Sequence, residues 1–214
     1  LKIVPVWVQV PPGVLVRRKT MSTQHLFLPS DMHGPWSPTA ERIYFGMGCF
    51  WGAEKKLWVV PGVVTTAVGY MGGTTEEPDY PLVCTGSTGH AETVLVVYEP
   101  SEVDLYDLLK VFWENHDPTQ GNRQGGDIGT QYRSVVYWTT TEQEALVTAT
   151  KNAYDIVLQQ SGLDPITTEI ASAEGKVFWY AEDYHQQYLI KNPNGYDCHA
   201  NTGYALPTYE DVVS

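Results

Sequence analysis

The junction Gly48-Cys49-Phe50-Trp51-Gly52 constrains this chain most. A strand-like run, Ile43 to Met47, enters it, and a helix-like run, Ala53 to Trp58, leaves it. The fold must therefore turn from strand to helix at a cysteine. The first backbone N–H groups of a helix lack intrahelical partners and favour an anion. A thiol held there is expected to lose its proton more readily, and the thiolate is the reactive form. Two large aromatics follow at once, so the junction predicts a nucleophile beside an apolar wall. The alternative is a buried, inert cysteine, since cysteine is among the most buried residue types. The flanking glycines and the helix start weigh against it.

The elements around this junction interleave. Strands are expected over residues 42–47, 63–70 and 133–139. Ala91 to Tyr98 is a nearly continuous apolar, strongly β-prone run and reads as another strand. Phe50, Ala53 and Leu57 share a helical face, which the Pro61-Gly62 turn ends. Leu105, Leu108, Leu109 and Phe112 recur at helical spacing and predict a helix over residues 104–115. Thr141 with Glu144 reads as a capping box opening a long helix, with Leu146, Ala149, Ala153, Ile156 and Val157 as its core face. Two short strands, 166–172 and 177–180, are expected to pair as a hairpin around Glu174-Gly175. A last short helix is expected over 182–190. Strict βαβα alternation is absent, so an α+β two-layer sandwich fits better than a doubly wound sheet.

The core is expected to be a single catalytic domain over residues 40–214. Residues 1–39 read as a poorly ordered arm or leader. Leu1 to Val16 is apolar but broken by Pro5, Pro11 and Pro12, with Arg17-Arg18-Lys19 after it rather than before it. That is the reverse of a signal peptide, though a degraded organelle-targeting segment is the alternative. No apolar run approaches the ~20 residues of a membrane span. From Asn192 on, the chain is rich in Gly, Asn and Pro and reads as a mobile tail. With 13 basic against 25 acidic residues and no basic stripe, nucleic acid is not an expected partner. The three cysteines, Cys49, Cys84 and Cys198, form neither a disulfide framework nor a Cys-x-x-Cys metal pair. A catalytic or redox use in a reducing, cytoplasmic setting follows.

Glu92 opens the strongest strand, after Gly86-Ser87-Thr88-Gly89-His90-Ala91. If buried there, its carboxyl should hold its proton near neutrality and act as a general acid. An exposed strand-edge glutamate is the alternative, and His90 competes for the same role. Tyr80, Tyr132 and Asp127 lie on glycine-rich loops. A loop tyrosine can donate its O–H to a developing oxyanion, whereas Asp127 could equally close an Asx-turn. Cys198, on the tail, could reach an oxidised cysteine and form a disulfide. Cys84 is expected to be structural.

Taken together, these residues resemble the peptide methionine sulfoxide reductase A family. The resemblance runs from about residue 41 to 198. It is carried by Gly48-Cys49-Phe50-Trp51-Gly52, Gly69-Tyr70-Met71-Gly72-Gly73, Tyr80 and Thr88-Gly89-His90-Ala91-Glu92. It continues through Phe112-Trp113-Glu114-Asn115-His116-Asp117-Pro118, Asp127-Ile128-Gly129-Thr130-Gln131-Tyr132-Arg133-Ser134 and Ala181-Glu182-Asp183-Tyr184-His185-Gln186-Gln187-Tyr188-Leu189. It implies a ferredoxin-like α/β sandwich that reduces methionine (S)-sulfoxide, free and in oxidised proteins. By position, Cys49 is the nucleophile, Phe50 and Trp51 hold the substrate methyl, and Asp127 lines the pocket. Glu92 is the acid at the sulfoxide oxygen, which Tyr80 and Tyr132 hydrogen-bond. Cys198 is the resolving cysteine. Thioredoxin or another dithiol is the implied external reductant, with no bound cofactor or metal; a monomer is expected. The tail departs from family members that carry two cysteines there, so a single Cys49–Cys198 disulfide is expected. The competing readings are a cysteine hydrolase using His116 and Asp117, an aromatic sulfoxide- or peptide-binding module, and a zinc site of Cys198, His199 and His185.

Overall fold

A six-stranded sheet carries the chain in the computed structural model, which describes residues 22–198 and 200–213. The chain passes through β1 (Glu41–Met47), α1 (Phe50–Trp58), β2 (Val63–Met71), α2 (Tyr80–Cys84), β3 (Ala91–Tyr98) and α3 (Leu105–Glu114). A small hairpin follows, β4 (Arg123–Gln124) and β5 (Asp127–Ile128), then a 3-10 turn at Thr130–Tyr132 and β6 (Ser134–Trp138). The C-terminal part supplies α4 (Thr141–Gln160), β7 (Glu169–Ser172), β8 (Trp179–Tyr180), α5 (Tyr188–Lys191) and α6 (Tyr209–Val213).

The sheet order is β7-β6-β1-β3-β2-β8, antiparallel throughout except between β6 and β7. Its centre is a β1-α1-β2-β3-α3-β6 unit with spatial order β6-β1-β3-β2, which is the ferredoxin-like arrangement. Period-two alternation sends Ile43, Phe45 and Met47 of β1 to one face and Tyr44 to the other. The first face joins Leu57, Leu108, Phe112, Val147, Tyr154 and Leu158 in the main core, under α1, α3 and α4. The second face packs Leu95, Val97 and Tyr137 beneath Met32, Trp36, Phe178 and Tyr180. Every residue of β3 is therefore buried, which explains its unbroken apolar run.

Several expectations change on this scaffold. The two short C-terminal strands do not form a hairpin: β7 pairs with β6 and β8 with β2, at opposite edges of the sheet. α4 is capped by Thr140, whose side chain accepts from the Gln143 N–H at 3.2 Å, not by Thr141. Its buried face is Gln143, Val147, Thr150, Tyr154 and Leu158, while Ile156 is 57% exposed. The polar members of that face are satisfied. Thr150 accepts from the Trp113 indole N–H at 3.0 Å, and the Tyr154 hydroxyl donates to the Tyr204 carbonyl at 2.9 Å. Helix over 182–190 shrinks to α5, and α2 rises from a stretch read as loop.

The described residues at both ends, from 22 and up to 213, lie on the body. Of the arm, residues 22–39 are packed: Met32 is buried and the Tyr180 hydroxyl donates to its carbonyl at 3.1 Å. The rest of the arm, with the leader or targeting reading, falls outside the described residues. The stretch read as a mobile tail carries fixed contacts. The Leu206 N–H donates to Glu114 at 2.9 Å and the Tyr106 hydroxyl to the Pro207 carbonyl at 2.6 Å.

Candidate active site

Cys49 is the N-cap of α1, at the point where β1 leaves the sheet. Gly48 makes that turn at φ 86, and a Cβ there would come within 2.5 Å of the Gln124 side chain. Only glycine suits both demands. Gln124 is itself clamped, accepting from the Asp117 N–H and donating to the Asp117 carbonyl, both at 2.9 Å. The turn beneath Cys49 is thus rigid.

Cys49 and Phe50 are buried and Trp51 is half-buried. Glu92, opposite Tyr70 in the β2–β3 ladder, is 1% exposed and accepts the Phe50 N–H at 3.0 Å. Burial pushes its pKa up to about 8; the Phe50 bond opposes the rise and the Asp127 charge adds to it. The carboxyl therefore carries a proton at neutral pH, as its sequence setting implied.

The Cys49 thiol corrects an expectation. Its pKa is raised, not lowered, above that of an ordinary thiol. Burial is the largest cause and the Glu92 charge the next, with Asp127 and Cys198 adding to them. The Trp51 N–H does point at the sulfur and pulls the other way, as a helix start should, but burial outweighs it. Protonation of Glu92 removes the second largest of these obstacles to a thiolate.

Tyr80 opens α2, and its N–H donates to Glu182 at 2.8 Å. Tyr132 ends the 3-10 turn. Burial raises both phenols, and the Glu92 charge raises both further, so each keeps its proton as a donor near that carboxyl. Asp127 begins β5 and accepts the Tyr196 hydroxyl at 3.1 Å. The tail crosses α1 at Gly52, where a Cβ would lie 3.4 Å from the Cys198 N and 3.3 Å from its carbonyl oxygen. Asp197 is bonded to Lys55 at 2.8 Å. Cys49, Cys84 and Cys198 are all free thiols. The eight residues singled out in the sequence thus meet at one end of the sheet. Cys84, expected to be structural, is exposed and lies in hydrogen-bond contact with the Tyr80 hydroxyl.

His90 is withdrawn from chemistry. Its Nδ1 accepts the Gly73 N–H at 3.0 Å and its Nε2 meets the Thr75 carbonyl at 2.7 Å. His116 is likewise occupied, by the Phe112 carbonyl at 2.6 Å and Ser134 at 2.7 Å. His185, by contrast, has a larger part than its sequence suggested. It is buried, accepts the Trp51 indole N–H at 3.0 Å, and lies against the rings of Phe50, Tyr80 and Tyr184. Burial lowers its pKa to about 4, so it is neutral. Tyr188 stacks on Trp51 at 3.8 Å. The aromatic spacing of Tyr184-His185 and Tyr188 was the available signal. Glu182, which also accepts the Tyr70 hydroxyl at 2.8 Å, lies in the same stretch, Ala181 to Leu189, but was given no role there.

Comparison with known proteins points to one family. The family model for peptide methionine sulfoxide reductase matches residues 41–212. The chain is 54% identical over 183 residues to peptide methionine sulfoxide reductase MsrA of Brucella ovis, spanning 86% of this chain and 83% of that one. The Brucella melitensis protein of the same name matches equally, at 54% over 183 residues. Among solved structures, methionine sulfoxide reductase A of Corynebacterium diphtheriae superimposes with a TM-score of 0.73 at 42% identity, covering 92% of this chain and 100% of that one. Reduced Mxr1 of Saccharomyces cerevisiae gives 0.71 at 33% identity, covering 80% and 96%.

Proposed function

Because the chain belongs to the peptide methionine sulfoxide reductase family of oxidoreductases, we propose that it reduces methionine (S)-sulfoxide through Cys49, Glu92 and Cys198. The observation that carries this reading is a protonated, buried carboxyl beside a buried thiol: Glu92 holds the Phe50 N–H one residue from Cys49. Phe50 and Trp51 wall the substrate methyl. Tyr80, Tyr132 and Glu92 direct O–H groups at the sulfoxide oxygen, and Asp127 lines the pocket.

As the Cys49 sulfur attacks the sulfoxide sulfur, Glu92 protonates the oxygen, which becomes basic as the S–O bond weakens. The oxygen ends on the cysteine sulfur. The substrate sulfur is reduced by two electrons and leaves as methionine, while Cys49 becomes a sulfenic acid. The Cys49 proton restores Glu92. Cys198, carried by the tail across Gly52, then attacks the sulfenic sulfur, releasing water and closing a disulfide. An external dithiol such as thioredoxin returns both thiols, and the oxidised methionines of damaged proteins are the substrates. The hydrolase alternative loses its base, since both His116 nitrogens are engaged.

Thioredoxin-coupled turnover of separate S and R epimers of a methionine sulfoxide peptide tests this reading. Turnover of S alone is expected. Turnover of R alone, or of neither, would refute it.

A further inference from the structure

Glu54 lies on α1 one turn beyond Trp51 and is completely buried. Its carboxyl accepts three hydrogen bonds. The Thr66 hydroxyl and the Gln187 side-chain amide reach Oε1 at 3.0 and 2.8 Å, and the Gln187 backbone N–H reaches Oε2 at 2.8 Å. The direction of the Thr66 bond is fixed from outside. The Phe27 and Leu28 N–H groups donate into His25 Nδ1 at 3.0 and 2.9 Å, so the His25 proton sits on Nε2. Nε2 then donates to Thr66 at 2.9 Å, and Thr66 has its own proton left for Glu54. Burial pushes the Glu54 pKa up to about 7, against the pull of Gln187, Thr66 and Lys191.

Gln187 stands at φ 46, ψ 44, a left-handed conformation that a side-chain-bearing residue adopts only when its surroundings impose it. Glu54 imposes it by holding both the backbone and the side chain of Gln187. His185, two positions before Gln187, and Tyr188, directly after it, grip Trp51. His185 accepts the indole N–H at 3.0 Å, and Tyr188 stacks on the ring at 3.8 Å with 13° between planes. Trp51 and Glu54 sit on the same helix, so the anchor and the gripped ring share one rigid body.

The geometry points to Glu54 as a positioning residue: by locking Gln187 it sets the Trp51 indole, and with it the fit of the site to a methyl sulfoxide. This rests on the reductase reading, in which Trp51 and Phe50 wall the substrate methyl. No bond to substrate is involved, so its effect should fall on binding and selectivity more than on the chemical step.

The test compares wild type with Glu54→Gln and Gln187→Met on the S-sulfoxides of methionine and ethionine, with kcat and KM measured separately. In Glu54→Gln one accepting oxygen becomes a donor facing donors. KM for methionine sulfoxide should rise about tenfold with kcat within about threefold, and the methyl-over-ethyl preference should narrow by about threefold or more. Gln187→Met, which keeps the backbone bond, should move both in the same direction by less. Folded variants with wild-type KM and wild-type preference would overturn the inference. If Glu54→Gln does not fold, Gln187→Met and Thr66→Val decide by the same criteria. Failure of wild type to reduce either sulfoxide would instead overturn the reductase reading, and this inference with it.

Discussion

Cys49 and Glu92 each keep a proton at neutral pH, and burial is the main reason in both cases. The thiol is raised chiefly by burial, and the carboxyl is pushed up to about 8 by the same cause. At neutral pH both are protonated, which under the proposed mechanism keeps an acid ready for substrate. The acid is present below about 8 and is lost as pH rises through that value. The single-turnover rate of wild type should therefore fall about tenfold per pH unit above it. Glu92→Gln should be slower by about a hundredfold at pH 7 and should lose that fall above about pH 8, as stopped-flow measurement of methionine release against pH would read. Both residues stood out as candidates in the sequence, Cys49 from its strand-to-helix junction and Glu92 as a carboxylate opening an apolar strand, and the structure buries them together. The direction of the Cys49 shift was not legible there. It depends first on how deeply the sulfur is buried and then on Glu92 being brought beside it, which are tertiary facts.

At the scale of elements, the periodic signals held wherever one face is purely apolar. The strand Ala91–Tyr98 and the helix Leu105–Glu114 fall within a residue of their patterns. α4 shows where such signals fail. Its apolar residues suggested one stripe, but the core takes the neighbouring one, because Gln143, Thr150 and Tyr154 are buried with hydrogen-bond partners. A polar side chain whose partner lies far along the chain looks exposed in sequence. Truncating the true face should be costly: Leu158→Ala should lose about 2–5 kcal/mol in urea unfolding. Ile156→Ala, on the stripe the pattern favoured, should stay within about 0.5 kcal/mol of wild type. Equal losses at the two positions would contradict this packing. The mistaken hairpin has a similar origin. β7 and β8 are neighbours in sequence but complete opposite edges of the sheet, and no local turn signal encodes that.

At the scale of the whole molecule, segments before β1 and after α5 both reach α1 and its surroundings. From the N-terminal side, His25 and Met32 reach the buried network around Glu54 and Gln187. From the C-terminal side, the tail is tied down on both flanks of Cys198. Tyr196 bonds Asp127 and Asp197 bonds Lys55 before it, and Thr202 and Leu206 bond Tyr154 and Glu114 after it. Composition alone made both ends look loose, because Gly, Asn and Pro report turns and not whether the turns are anchored. Cys198 is thus presented to the mouth of the site by a clasped segment, as a resolving thiol would need to be. The most direct test is methionine release from (S)-sulfoxide in a single turnover without reductant, with free thiols counted before and after. Wild type should release one methionine per chain and lose two thiols, Cys198→Ser should release one methionine and trap a sulfenic acid at Cys49, and Cys49→Ser should release none. Methionine release by Cys49→Ser, or a wild-type chain that keeps Cys198 free after turnover, would contradict the account.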